Sequence, residues 1–409
     1  MWEIIQANKT KSWILFILMG LCLILLGYII GRVTLEEEAG GILGIFIAGI
    51  IWFILSLISY FSGDSIILAV SGAKEVTPDV HPQLFNVVEE MKIAASLPFM
   101  PKVYIINEAA PNAFATGRKP EKSSIAVTAG LLNMMNRNEL QGVIAHEMSH
   151  IINRDVLFMT FAGIMLGSIV LIADIFLRGL WHSSSRSSRV RFGGSSNDKG
   201  QLQVIIMIIA IVFAILAPII ARLIYFAISR KREYLADASA IRLTRYPEGL
   251  ASALEKISGT NLDLVSANKV TAPMYIVNPL KGKGLKIADL TSTHPPISER
   301  VKILRNITSA TYLNYQQAFS TIKGKATPIL PPSGLRDNKD IPLLSPTGTE
   351  EKSQDSKTSM RNLGDLMRTV NGYAFLTCLC GLKIKLPPTF KEPKVKCPKC
   401  QRLLDSKAI

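Results

Sequence analysis

His146-Glu147-Met148-Ser149-His150 places two imidazoles and a carboxylate within one short run. Residues four apart share a helix face, so both imidazoles point the same way with a carboxylate beside the first. Hydrolytic zinc sites need this donor set: two nitrogens on the metal and a general base next to a position kept for water. The residues before it favour a helix. Asn136 suits the N-cap, Glu139 stands where a capping box wants its acid, and Leu140, Val143 and Ile144 recur at helical spacing. Such a site needs a third protein ligand, and Glu233 in Arg232–Asp237 is the best candidate. Asp237 lies four residues on, shares its face, and can accept a hydrogen bond from a ligand imidazole. By itself such an acidic pair is more often a solvated face. Its position argues otherwise: Ile228 to Glu233 is about 7.5 Å of helix and His150 to Val156 about 9 Å, so both halves end near one membrane surface.

A second cluster lies near the C-terminus. Cys378-Leu379-Cys380 and Cys397-Pro398-Lys399-Cys400 are close pairs suited to a tetrahedral structural zinc, although the first is C-x-C rather than the commoner C-x-x-C. Disulfides are the alternative and would need an oxidising compartment. A module of roughly thirty residues cannot build an adequate core, so the metal would hold its fold. Lys383, Lys385, Lys394, Lys396 and Lys399 make it basic; a solvated face is expected there, and nucleic acid is not an expected partner. Cys22 reads as a buried inert thiol, and His81 and His182 have no ligand spacing.

The elements that must position these groups lie in and around a membrane. The chain has 409 residues, 48% hydrophobic, with a formal net charge of +15. Trp13–Ile30 and Gly41–Tyr60 are long enough to cross the hydrocarbon core, as are Val156–Leu177 and Val204–Ile228 despite Asp174, Pro218 and Arg222. No small-residue cleavage site precedes Glu36-Glu37-Glu38, so the first segment reads as an anchor rather than a signal peptide. Gly163 and Gly167 hint at close helix packing. Between the hairpins, Pro82–Leu97 reads as an amphipathic helix with Leu84, Val87, Val88 and Met91 on one face. Val103–Ile106 and Ile125–Thr128 read as strands, and Pro111–Gly117 as an edge strand to which an extended peptide can add. Thr327 to about Asn362 has the composition of a flexible linker.

The expected organisation is a transmembrane hairpin at 1–62, a metallopeptidase domain at 63–307 with an inserted hairpin at about 156–228, a flexible linker region at 308–370, and a four-cysteine zinc-ribbon-like module at 371–409. The fold class is a mostly α membrane protein with an α+β zincin-type domain built on a small edge-stranded sheet. Lys9, Lys11, Arg230, Lys231 and Arg232 put the N-terminus, zinc site and cysteine module in the cytoplasm. Arg178, Arg186, Arg189, Arg191 and Lys199 oppose this, unless the first hairpin dominates orientation or the second does not fully cross. A reducing compartment for the cysteines favours the first hairpin.

In these motifs the chain resembles the HtpX-type membrane zinc metallopeptidases, of a wider group that includes the CAAX prenyl proteases. The resemblance rests on Pro111–Gly117, Ala126–Leu132, His146–His150, Glu233–Asp237, and Ser292-Thr293-His294-Pro295-Pro296 with Arg300, and covers roughly residues 1–307. It implies a zinc endopeptidase of a prokaryotic cytoplasmic membrane that cuts misfolded or damaged membrane proteins. It also implies that Asn112, Ala113 and Phe114 meet the substrate backbone, and that His294 and Arg300 act close to the scissile bond. His294 before two prolines could equally be a helix start. The residue types then suggest zinc on His146, His150 and Glu233, with Glu147 moving the proton and His294 helping to stabilise the oxyanion. A CAAX-type prenyl-protein protease and a non-catalytic membrane-anchored zinc-binding adaptor are the alternatives.

Overall fold

Long apolar runs become long helices, because a helix satisfies every backbone group internally where no water can. A computed structural model describes residues 2–34, 38–185, 198–260, 262, 275–276, 294–324, 328–330, 335, 341–344 and 356–406. Arg186, Arg189 and Arg191 lie outside the described residues, as do the side chains of His182, Lys199 and Arg222. Helices α1 (Trp2–Thr34) and α2 (Glu38–Val70) contain the apolar spans Phe16–Val33 and Ala39–Val70. Helix α6 (Val156–Ser185) contains a third, Val156–Arg178. Among the described residues, the apolar stretch of α7 (Asp198–Thr244) is Met207–Ala221, and the helix then runs on unbroken into the zinc ligands.

The two hairpins are not independent, since α1 packs against α6 and α7 as well as α2. Met19 and Leu23 meet Phe158, Met165 and Ala217, while Leu26 meets Ala173, Ala210 and Ala214. Gly27 and Gly31 cross Gly40 and Gly44; a Cβ at Gly31 would collide with the Gly40 carbonyl. Phe46, Phe53 and Phe61 are exposed outward, as lipid-facing side chains are.

Outside the spans, a four-stranded sheet has the order β1 (Ala73–Glu75), β2 (Lys102–Ile106), β4 (Ser123–Thr128), β3 (Ala113–Gly117). β2 and β4 are parallel, and β3 runs antiparallel along the edge with Phe114 opposite Ala126. Helix α3 (Pro82–Ala94) buries Leu84, Val87, Val88 and Met91, its expected face, at about 1.5–3 kcal/mol each as an upper estimate. His81 accepts from the Leu84 N–H as the N-cap of this helix. Helix α4 (Ala129–Met134) leads to α5 (Arg137–Ile152), where Asn136 and Glu139 form the capping box in full. Gly142 lets α5 approach the backbone of α8 (Pro247–Gly259) at Leu250, and α8 in turn packs on α9 (Ile297–Arg305).

Among the described residues, the region expected as a flexible linker at 308–370 includes two packed helices. It contains α10 (Tyr312–Lys323), which buries Tyr312, Tyr315, Ala318 and Phe319, and α11 (Ser356–Val370), which packs Leu363, Leu366 and Met367 against the same core. Helical spacing of apolar side chains outweighs polar average composition here. Beyond α11, two hairpins follow: β5 (Ala374–Thr377) with β6 (Lys383–Leu386), and β7 (Lys394–Lys396) with β8 (Leu403–Asp405). Gly381 and Gln401 adopt the left-handed conformation in their turns.

Candidate metal centre and its surroundings

Helix α5 supplies His146, Glu147 and His150, all buried, with the two imidazoles edge to face at 4.9 Å. Helix α7 brings Glu233 against them. Its two carboxylate oxygens lie 3.6 Å from His146 Nε2 and 3.6 Å from His150 Nε2. Ligands about 2.0–2.1 Å from a tetrahedral zinc stand about 3.3 Å apart, so this spacing fits a shared ion after slight contraction. His146 Nε2 and Glu233 Oε2 are also buried with no hydrogen-bond partner, a costly state that a metal would relieve.

Each histidine has its other nitrogen on a carboxylate. His146 Nδ1 lies 3.0 Å from Asp237, the partner expected from its place one turn after Glu233. His150 Nδ1 lies 3.4 Å from Asp155, which sequence reasoning missed. Asp155 follows the end of α5 in the turn Asn153-Arg154-Asp155, and its place five residues after His150 was the one signal in the sequence. Arg232, expected among the cytoplasmic surface cations, is instead buried. It lies 3.6 Å from Asp155 and is stacked on Phe158 at 3.6 Å.

The electrostatics follow from burial and these contacts. Burial disfavours the charged imidazole of His146, but the carboxylates of Asp237 and Glu233 outweigh it and push the group up to about 9. Burial raises Glu147, although the Ala115 backbone N–H lies against its carboxylate. Burial would raise Glu233 too, yet His294, His146 and His150 hold it well below the carboxylate range. His294 is held down to about 4 by burial, with Arg300 and the other histidines opposing its protonation, and is therefore neutral near pH 7.

His294 comes from the segment before α9, its Nε2 3.7 Å from Glu233. It lies two residues before the Pro296 N-cap, and its side chain is buried beside Glu233. Arg300 is fully buried beside the ligands, its Nη1 3.6 Å from Glu233 Oε2. It donates to both oxygens of Asp237, at 2.6 and 2.8 Å, and to the Ile276 carbonyl at 3.3 Å. A charged bidentate donor in the core is stable only against buried carboxylate, and Asp237 is that carboxylate. Asn112 and Ala113 are buried at the start of β3, where Ile276 N–H donates to the Ala113 carbonyl at 2.9 Å. The Phe114 ring is turned into the core, edge-on to Tyr275 at 5.2 Å, so only its backbone is left for the strand edge.

The four C-terminal cysteines converge: Cys378 Sγ lies 3.4 Å from Cys400 Sγ, and Cys380 Sγ 3.6 Å from Cys397 Sγ. Disulfide sulfurs sit near 2.05 Å, whereas four thiolates on a tetrahedral zinc stand about 3.8 Å apart, so the cluster fits the metal. The backbone N–H groups of Cys400 and Lys399 push the Cys397 thiol down to about 6.

Residues 78–308 match the family described as Peptidase family M48. The chain is similar to several proteins that carry the name Protease HtpX homolog. That of Dictyoglomus thermophilum is 46% identical over 305 residues, covering 74% of this chain and 94% of that protein. That of Caldanaerobacter subterraneus is 44% identical over 308 residues, with coverages of 75% and 98%. That of Listeria monocytogenes is 43% identical over 310 residues, with coverages of 75% and 100%. About a quarter of this chain therefore has no counterpart in them, and the family match stops short of the cysteine cluster. Among solved structures, the crystal structure of S. mikatae Ste24p aligns at 19% identity over 74% of this chain and 67% of that one, with a TM-score of 0.38.

Proposed function

The chain belongs to peptidase family M48, and we propose that it is a membrane-embedded zinc endopeptidase that hydrolyses peptide bonds of misfolded or damaged membrane proteins. One observation carries this reading. His146, His150 and Glu233 converge with orphaned buried atoms toward a common point, and a buried glutamate stands next to the first ligand. Zinc held there would supply Lewis acidity, enough to bring the pKa of a water to about 7.

The chain's own residues do the rest. Glu147 accepts the proton of the attacking water and returns it to the leaving amine; burial raises its basicity for that task. Asp237 and Asp155 hold the ligand imidazoles in the tautomer that presents Nε2 to the metal. Arg300 locks Asp237 and so positions His146 at one remove. Neutral His294 is available to donate a hydrogen bond to the oxyanion that develops on the scissile carbonyl. An extended substrate would run along β3. The Ile276 contact to Ala113 is an example of such pairing, and Ala115 brings the strand past Glu147.

The site faces the cytoplasm of a prokaryotic cell in this reading, with α1, α2, α6 and α7 in its inner membrane and a structural zinc in the four-cysteine module. The test is cleavage of casein or a model membrane protein in detergent by zinc-loaded wild type and Glu147→Gln. Wild type should cut, a chelator should stop it, and the variant should keep its zinc while losing at least about a hundredfold in rate. If both proteins hold zinc and neither cuts, the adaptor reading replaces this one.

A further inference from the structure

We propose that a cavity between the membrane helices and the zinc domain holds one phospholipid with an anionic headgroup. The cavity is about 730 Å³, the size of pockets that enclose sizeable ligands. Its walls come from three helices at their ends nearest the zinc site: Trp13 and Phe16 at the start of one span, Tyr60 late in α2, and Phe158 and Phe161 at the start of α6. Trp and Tyr at this depth mark the level at which headgroups lie, so the apolar interior faces the acyl region and the mouth faces the interface.

The mouth is cationic. Arg118 and Lys119 follow the last residue of β3, and Arg154 sits in the turn between α5 and α6. Arg118 lies over the rings of Tyr60 and Phe61, at 5.4 and 5.6 Å, which holds its guanidinium at the rim. Among the described residues none of these three cations pairs with a carboxylate, and Glu121 is the one acid lining the cavity. Arg154 also adopts φ of +60°, a conformation that glycine or asparagine would reach at less cost. A large cation kept there is understandable if its charge is used. An apolar chamber beneath an unpaired basic rim is complementary to an acyl chain beneath a phosphate, which Arg and Lys recognise well. A polypeptide segment, the other occupant of this shape, matches the rim only where an acidic side chain falls beside it, whereas a phosphate headgroup always carries the charge.

The test uses the full chain purified in mild detergent, with lipid retention read by native mass spectrometry and affinity by exchange of labelled phosphatidylglycerol. Wild type should keep one phosphatidylglycerol and bind phosphatidylcholine more weakly. Arg118→Gln with Arg154→Asn should weaken phosphatidylglycerol by about a hundredfold, the loss of two charged contacts, while the double lysine variant keeps most of the binding. Zinc content equal to wild type would show that these substitutions leave the fold intact. Three results would each overturn the proposal: unchanged retention in the Gln/Asn variant, displacement of the lipid by glycerol phosphate alone, or its displacement by an unfolded polypeptide.

Discussion

Replacing Arg300 with leucine should cost about 3–5 kcal/mol of stability and loosen the metal site at the same time. The guanidinium is 0% exposed and lies 2.6 and 2.8 Å from the two oxygens of Asp237. At an effective dielectric near 20, a pair at that separation attracts by about 6 kcal/mol, part of which offsets the desolvation of both ions. Deleting the cation leaves Asp237 buried with His146 Nδ1 as its remaining partner, and leaves the Ile276 carbonyl without this donor. Because Asp237 orients His146 at 3.0 Å, zinc affinity should fall about 10–100-fold as well. Arg300→Lys should recover only part, since one ammonium cannot reproduce the fork. Arg300→Leu combined with Asp237→Asn should be less unstable than the sum of the two singles, because no lone buried charge remains. Thermal unfolding in detergent and competition with a chromophoric chelator read the two effects. Unchanged stability and zinc affinity with a raised KM for peptide would refute this placement and return Arg300 to the scissile bond.

Asp155→Asn should lower zinc affinity about tenfold by releasing His150; equal affinity in the chelator competition would mean that another group orients this imidazole. Cys380→Ser should reduce metal content from two zinc ions per chain to one and expose the remaining module thiols to alkylation; two ions retained would exclude a four-cysteine site. Gly31→Leu should destabilise the α1–α2 crossing by about 1–3 kcal/mol or more, whereas Gly49→Leu, which meets open space, should not; equal melting temperatures for the pair would contradict the crossing.

Much of this architecture is local and was legible before any coordinates. The capping box at Asn136, the buried face of α3 and the apolar lengths of α1, α2 and α6 are set by residues within a few turns of one another. Their physics acts over the same short range as the pattern that reveals it. The i, i+4 spacing of Glu233 and Asp237 belongs to this class, and so does the pairing of C-terminal cysteines. Errors arose where average composition stood in for periodicity. The linker region expected at 308–370 holds α10 and α11, and the polar composition from Thr327 to about Asn362 hid the start of α11.

The sequence by itself determined which side chains can bind metal, and which long segments are apolar enough to leave water. Tertiary packing alone decided the partners across long separations: Asp155 on His150, Arg232 against Asp155 and Phe158, and Arg300 turned onto Asp237. Burial is the reason. A lone arginine or aspartate in sequence reads as solvated, because water is the cheapest partner for a charge. Only a fold that removes the water forces each charge onto a particular opposite charge, and that choice depends on the packing of α5, α7 and α9 rather than on any neighbour along the chain.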